Sequence, residues 1–227
     1  MEMARWERLL RFWQENGLCV FTAMSAESLR GRARNYLISK KLGVQRIKLG
    51  PRSYLRGLNS IQMGEDFWAG EGLWLEAITQ YNDQRFAPRI VIGNHVRFSH
   101  WVHVAATNSV EIGDDVLIGS KVIITDHNHG HYSKAHTSPL IPPSLRPLDD
   151  DQKVVIGNRV WLGDGVVVTP GAYIGEGTVV GANSVVRGRI PSFCTAAGSP
   201  AKILRTFDFN AQEWKRVERS EVTGSQK

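Results

Sequence analysis

The 227-residue chain holds only two cysteines, Cys19 and Cys194. A disulfide framework is therefore not expected, each thiol reads as a small buried hydrophobe, and a reducing cytosol fits. No apolar run approaches the ~18 residues that would suggest a membrane span. The opening Met1-Glu2-Met3-Ala4-Arg5-Trp6 carries neither the apolar core nor the small-residue cleavage site of a secretory leader, so a cytoplasmic location is expected. Zinc-finger spacing and aromatic RNA-binding signatures are missing as well, and nucleic acid is not expected as a partner.

What is present is ordinary in bulk and unusual in order. Hydrophobic residues make up 42% and charged residues 22%, as in soluble globular domains. The formal charge is +6, and much of the basic excess lies early, in Arg5, Arg8, Arg11, Arg30, Arg32, Arg34, Lys40 and Lys41. Such a chain attracts polyanions, anionic membrane surfaces or phosphorylated small molecules, and charge alone does not choose among them. The 22 glycines recur at regular intervals in the second half.

From Ile156 onward an aliphatic residue returns every six positions, at Leu162, Val168, Ile174, Val180 and Val186. Glycine follows at Gly157, Gly163, Gly175 and Gly181, and a small or β-branched residue stands four places on, at Val160, Val166, Ala172, Thr178 and Ser184. A helix repeats at 3.6 and a strand at 2, so a period of six suits short strands joined by tight corners. Three hexapeptides make one triangular coil, with the aliphatic side chain stacked on its counterpart ~4.8 Å away. Glycine is expected to supply the backbone conformation of each corner. The same phase appears earlier through Ile92, Phe98, Val104 and Val110, then slips by two to Ile112, Ile118 and Ile124; Leu49, Leu55 and Ile61 slip alike to Met63. Two similar slips predict a repeated corner insertion. Residues 77–91 and 127–155 break the phase.

The flanks read as helical. Trp6, Leu9, Leu10 and Trp13 describe one apolar face. Ser25 is expected to cap a second helix from about Ala26 to Leu42, closed by Gly43. Asn210 with Glu213 resembles a capping box before a short C-terminal helix. The expected division is thus a helical region over 1–45, a left-handed parallel β-helix over 46–206 with a loop at 127–155, and a C-terminal helix and tail over 207–227. The apolar N-terminal face is expected to cap the open coil; peripheral contact with an anionic membrane, at its inner face, is the second reading.

Across residues 45–206 the chain resembles the hexapeptide-repeat acyltransferases, in particular galactoside, maltose and xenobiotic acetyltransferases and the O-acetyltransferases of surface polysaccharides. Val154-Val155-Ile156-Gly157-Asn158-Arg159-Val160-Trp161-Leu162-Gly163, Ala196-Ala197-Gly198-Ser199-Pro200-Ala201-Lys202 and Thr125-Asp126-His127 carry the resemblance. It implies an acetyl-coenzyme A-dependent O-acetyltransferase acting on a sugar or glycan precursor, assembled as a homotrimer with sites between β-helices and needing no metal. The resemblance places the catalytic His where a long loop leaves the coil, at His127. An imidazole titrating near ~6.5 suits removal of a hydroxyl proton as oxygen attacks a thioester, and its return to the departing thiolate. The amide of Asp164 is the implied donor to the developing oxyanion. Asp164, Ala182, Arg187, Lys202 and Arg205 match coenzyme A-binding positions, with Arg187 where the family often has Thr and Gly188 where it often has Lys.

The acceptor side departs from the simpler sugar acetyltransferases. Ser99, flanked by His100, stands where they carry an acceptor-binding Asn, and the Asp of their N-terminal region has no counterpart before residue 45. Asp126 and His129, beside the base, complete the candidate acceptor residues. Residues 79–89, with Tyr81, Asn82, Asp83 and Arg85, either replace part of the acceptor pocket or are a surface excursion. The proline-rich stretch 128–153 reads as a stiff arm over the site or toward a neighbour. His131 and His136 are expected to be solvated. The rival readings are an N-acetyltransferase of a nucleotide-linked amino sugar, a non-catalytic β-helix, and a zinc-binding β-helix with His ligands converging across subunits.

Overall fold

The computed structural model describes residues 3–132, 137–149 and 152–217. Three parallel sheets form the faces of a left-handed β-helix. The second face stacks Tyr54–Arg56, Trp74–Ala77, His103–Ala106, Ile123–Thr125, Val167–Val168 and Val185–Val186. The third stacks Ile61–Met63, Arg89–Ile92, Ser109–Ile112, Lys153–Ile156, Tyr173–Ile174 and Arg189–Ile190. Each of these holds six strands, one per coil. The first face carries the equivalent strands from Ile47–Leu49 to Cys194–Ala197 and is extended by two antiparallel strands.

Both repeating series point inward. Ile156, Leu162, Val168, Ile174, Val180 and Val186 are buried, and so are Val160, Val166, Ala172, Thr178 and Ser184. The parallel register stacks like on like, Leu162 beside Ile118 and Val180, Val168 beside Ile124 and Val186. One column of methyl-rich side chains therefore fills the prism, and within it Phe67 and Phe98 of the second and third coils meet edge-on at 5.1 Å.

The glycines after the aliphatic residues serve a different purpose from the one expected. The left-handed backbone at the edges falls two residues later, at Arg159, Gly165, Gly177 and Asn183, with φ between 56° and 69°. Gly163 is instead required by proximity, since a Cβ there would stand 2.7 Å from the amide nitrogen of Ala182 in the next coil. The two-residue slip is also not a corner insertion. Ala106 and Val110 are both buried, so the extra residues lengthen the strands on either side of the Thr107-Asn108 corner and add one inward side chain to the coil.

The N-terminal region is one helical element, α1 (Met3–Leu42), interrupted at Gly17 with φ 78° and ψ 163°. Ser25 lies within the helix and so is not its cap, whereas Gly43, at φ 70°, ends it as expected. Ile38 and Leu42 pack on the first coil and cover its open end, while Leu29, Tyr36 and Leu37 stay exposed. No described helix is long and apolar enough to cross a membrane.

The expected C-terminal helix does not form. Lys202–Asp208 and Glu213–Arg216 make an antiparallel hairpin on the first face. Asp208 accepts hydrogen bonds from the Asn210 and Ala211 amides, which turns the chain, and Phe207 meets Trp214 at 5.2 Å. Cross-strand aromatic packing thus outweighs the local capping signal. Residues 218–227 lie outside the described residues.

Candidate functional site

The corners of successive coils stack into three edges, and the candidate residues fall on two of them. The edge between the first and second faces carries Ser99, His100, Asp164 and Ala182. There Asp164 accepts the Ser120 amide at 2.6 Å, and the Asn183 amide donates to the Asp164 carbonyl at 2.8 Å. His100 Nδ1 accepts the Glu71 amide at 3.1 Å, a tie from one coil to the next.

The edge between the second and third faces carries Asp126, His127, His129 and Arg187. Both long excursions leave here: residues 78–88 from the second coil and 126–152 from the fourth. Between them the third coil turns tightly at Thr107-Asn108, and that turn receives Asp126. The Asp126 carboxylate is fully buried; Oδ1 accepts from the Thr107 amide at 2.9 Å and hydroxyl at 3.3 Å, and Oδ2 from the Asn108 amide at 2.8 Å. It is therefore closed to an acceptor molecule, contrary to expectation. Its remaining contact is with His127, whose Nδ1 lies 2.8 Å from Asp126 Oδ1.

That contact fixes the chemistry of the ring. A carboxylate at Nδ1 selects the tautomer that carries its proton there, so the Nε2 lone pair is free. Thr125 Oγ1 braces the same nitrogen at 3.2 Å, and the His127 side chain is 11% exposed. Nε2 has no hydrogen bond among the described residues. An imidazole with one nitrogen clamped and the other open has the geometry to accept a proton at the open nitrogen.

The two excursions brace one another beside this ring. The hairpin Gln80–Tyr81/Gln84–Arg85 sends Tyr81 Oη to the Ser144 carbonyl at 2.6 Å and to His129 Nδ1 at 3.3 Å. The Gln84 side-chain amide donates to the Leu148 carbonyl at 3.1 Å and accepts the Leu148 amide at 2.7 Å, tying the hairpin to the second excursion. Arg146 gathers the Ile141 and Pro139 carbonyls, stiffening the arm. His129 stays exposed with its ring edge-on to Tyr81. His131 is not simply solvated, since Nδ1 lies 3.6 Å from Asp149 Oδ1. His136 lies outside the described residues.

One neighbour of the site was not singled out from sequence. His103 projects from the outer side of the second face, its ring 4.8 Å from that of Trp74. Burial holds its imidazole below the ordinary histidine value; Glu76 pulls it partway back, and charge on His127 pushes it down again. The buried parity of Val102 and Val104 is the signal that turns His103 outward, onto the face that ends at His127.

Arg187 stands exposed at the same edge, and Lys202 and Arg205 are exposed on the appended hairpin, where Arg205 pairs in register with Thr195. No group of three or more His, Cys, Asp or Glu side chains placed to share a metal ion occurs among the described residues. One chain thus holds the His127 edge and the Asp164 edge apart, on opposite sides of the second face.

The comparisons with known proteins agree with this architecture. Residues 153–188 match the family model "Bacterial transferase hexapeptide (six repeats)". Over 166 residues the chain is 47% identical to the Escherichia coli K12 protein named "Putative lipopolysaccharide biosynthesis O-acetyl transferase WbbJ", spanning 72% of this chain and 81% of that one. It is 31% identical over 138 residues to the galactoside O-acetyltransferase of Escherichia coli K12, covering 60% of this chain and 62% of the relative, just under two thirds. Among solved structures, the fold resembles that of AntD, an N-acyltransferase from Bacillus cereus, solved in complex with dTDP and 3-hydroxybutyryl-CoA. That match has a TM-score of 0.57 at 16% identity, over 74% of this chain and 84% of the other.

Proposed function

Because the chain belongs to the hexapeptide-repeat acetyltransferases, we propose that it transfers an acetyl group from acetyl-coenzyme A to a hydroxyl of a sugar or surface-polysaccharide precursor, with His127 as general base. The observation that carries this reading is the clamped ring: Asp126 holds Nδ1 and leaves Nε2 open at the edge from which both excursions rise.

The acceptor hydroxyl hydrogen-bonds to Nε2. As its oxygen bonds to the thioester carbonyl carbon, its proton passes to Nε2 and the carbonyl oxygen becomes an oxyanion. The buried Asp126 carboxylate stabilises the imidazolium that forms. The carbon–sulfur bond then breaks, and the thiolate leaves with the proton from Nε2. The oxyanion needs a fixed N–H donor, for which Asp164 is the candidate. Since Asp164 lies on the other edge, a second chain must bring its own copy to His127. That contact joins unlike edges and, repeated, closes into a ring; that the ring is a homotrimer is what the family resemblance implies. Ala182 follows Asp164 along that edge. Arg187, Lys202 and Arg205 supply cations for the cofactor phosphates.

On the acceptor side, His129 and Tyr81 stand beside the base, and Ser99 and His100 arrive with the neighbouring chain's edge. The reading places the enzyme in the cytoplasm, with exposed α1 as the element that meets the inner membrane face when the acceptor is carried on a lipid. The test is release of free coenzyme A from acetyl-coenzyme A across sugars, amino sugars and nucleotide sugars. Release with a hydroxyl acceptor supports the proposal; release confined to amines replaces O- by N-acetylation; no release with any acceptor removes it.

A further inference from the structure

At the junction of α1 with the first coil, far along the prism from His127, lies an open cavity of about 1050 Å3. Its charged lining is Arg30, Arg32, Arg34, Lys48 and Arg52 against the single carboxylate of Glu27. Arg30 and Arg34 are four residues apart and so share one side of the helix, while Lys48 and Arg52 come from the first coil opposite. Among the described residues, Arg52 is the one member paired with a carboxylate, that of Glu71. Arg34 is part-buried, and its Nη2 is spent on the Leu49 and Gly50 carbonyls at 2.9 and 2.7 Å. Those bonds anchor the guanidinium without neutralising it. Arg30 and Lys48 form no ion pair among the described residues.

The wider charge distribution points the same way. With eight basic and three acidic residues, α1 carries a net charge of +5 within a chain of +6. The β-helix proper is nearly balanced. Like charges crowded at one junction repel each other and destabilise the fold unless an anion is supplied. Several guanidinium and ammonium groups facing one space match a multiply charged oxyanion better than a single carboxylate.

We propose that this cavity is a binding site for a phosphate or diphosphate group, distinct from the acetyl-transfer site and independent of that reading. The phosphate is carried either by the headgroups of a lipid surface, which exposed Leu29, Tyr36 and Leu37 on the same helix would accompany, or by a soluble phosphorylated molecule.

The experiment measures binding of inorganic pyrophosphate by calorimetry, and sedimentation with phosphatidylglycerol vesicles against phosphatidylcholine vesicles, on the full chain. Arg30→Glu with Lys48→Glu is the disrupting pair. Lys153→Glu with Arg189→Glu imposes the same charge change on the third face. Lys48→Ala is the milder substitution should the pair fail to fold, as judged by thermal melting. The pocket variants are expected to weaken binding about tenfold or more, with the third-face pair close to wild type. Loss of phosphatidylglycerol binding in the pocket variants assigns the phosphate to a lipid surface; loss of pyrophosphate binding alone assigns it to a soluble ligand. Absence of both kinds of binding in the wild type, or an equal loss in the third-face pair, overturns the proposal.

Discussion

His127 Nδ1 and Asp126 Oδ1 are 2.8 Å apart although the two residues are adjacent in sequence. Adjacent side chains on a strand point to opposite sides. Here the chain turns out of the fourth coil between them, so the carboxylate lies under the corner and the ring lies over it. Two backbone amides and a hydroxyl from the third coil hold the carboxylate from beneath. The geometry of the ring is therefore set by the stacking of coils rather than by the loop that follows.

Replacing Asp126 with Asn tests that dependence. The amide would turn a donor toward the Thr107 or Asn108 N–H, leaving a buried donor unsatisfied at a cost of about 1–3 kcal/mol. It would also release the His127 tautomer. Thermal melting should show the lost stability, and kcat should fall on the order of 10²-fold or more.

Tyr81→Phe separates the excursions without touching the base. It removes the hydrogen bonds to the Ser144 carbonyl and to His129, worth about 0.5–1.5 kcal/mol each. Amide exchange over residues 138–149 should quicken, and KM for the acceptor should rise more than kcat falls.

The depressed imidazole of His103 makes stability fall in acid. Its folded value lies below its unfolded one, so the unfolded chain binds the proton more readily. Stability is complete above about pH 6.5 and declines as pH drops through the folded value. Melting temperature followed from pH 7.5 to 5 should drop more for the wild type than for His103→Gln.

The C-terminal hairpin has its own acid limit. Lys215 first, then the Ala211 and Asn210 amides, hold the Asp208 carboxyl at about 2. The contribution is present above the usual carboxylate value and is lost as pH falls through about 2. Lys215→Ala should raise the pH at which Trp214 fluorescence reports fraying.

Most of the coil was legible because its cause is local. An inward side chain every six residues is written in the sequence, and Ile156 to Val186 point where that spacing requires. What escaped depends on contacts between coils. Ala106 and Val110 look like a slipped phase until both are seen facing inward. Asn210 and Glu213 make a sound capping pattern, yet pairing of Phe207 with Trp214 takes the segment into a sheet. His127 was placed by resemblance at the root of its loop. The burial of Asp126 was not legible, because it follows from the amides of Thr107 and Asn108, nearly twenty residues earlier.

The most direct measurement is coenzyme A release by His127→Ala, compared with wild type at saturating acetyl-coenzyme A and acceptor. The expected result is a loss in kcat on the order of 10²- to 10⁴-fold with melting temperature preserved. Turnover by a folded His127→Ala protein within a few-fold of wild type would contradict it.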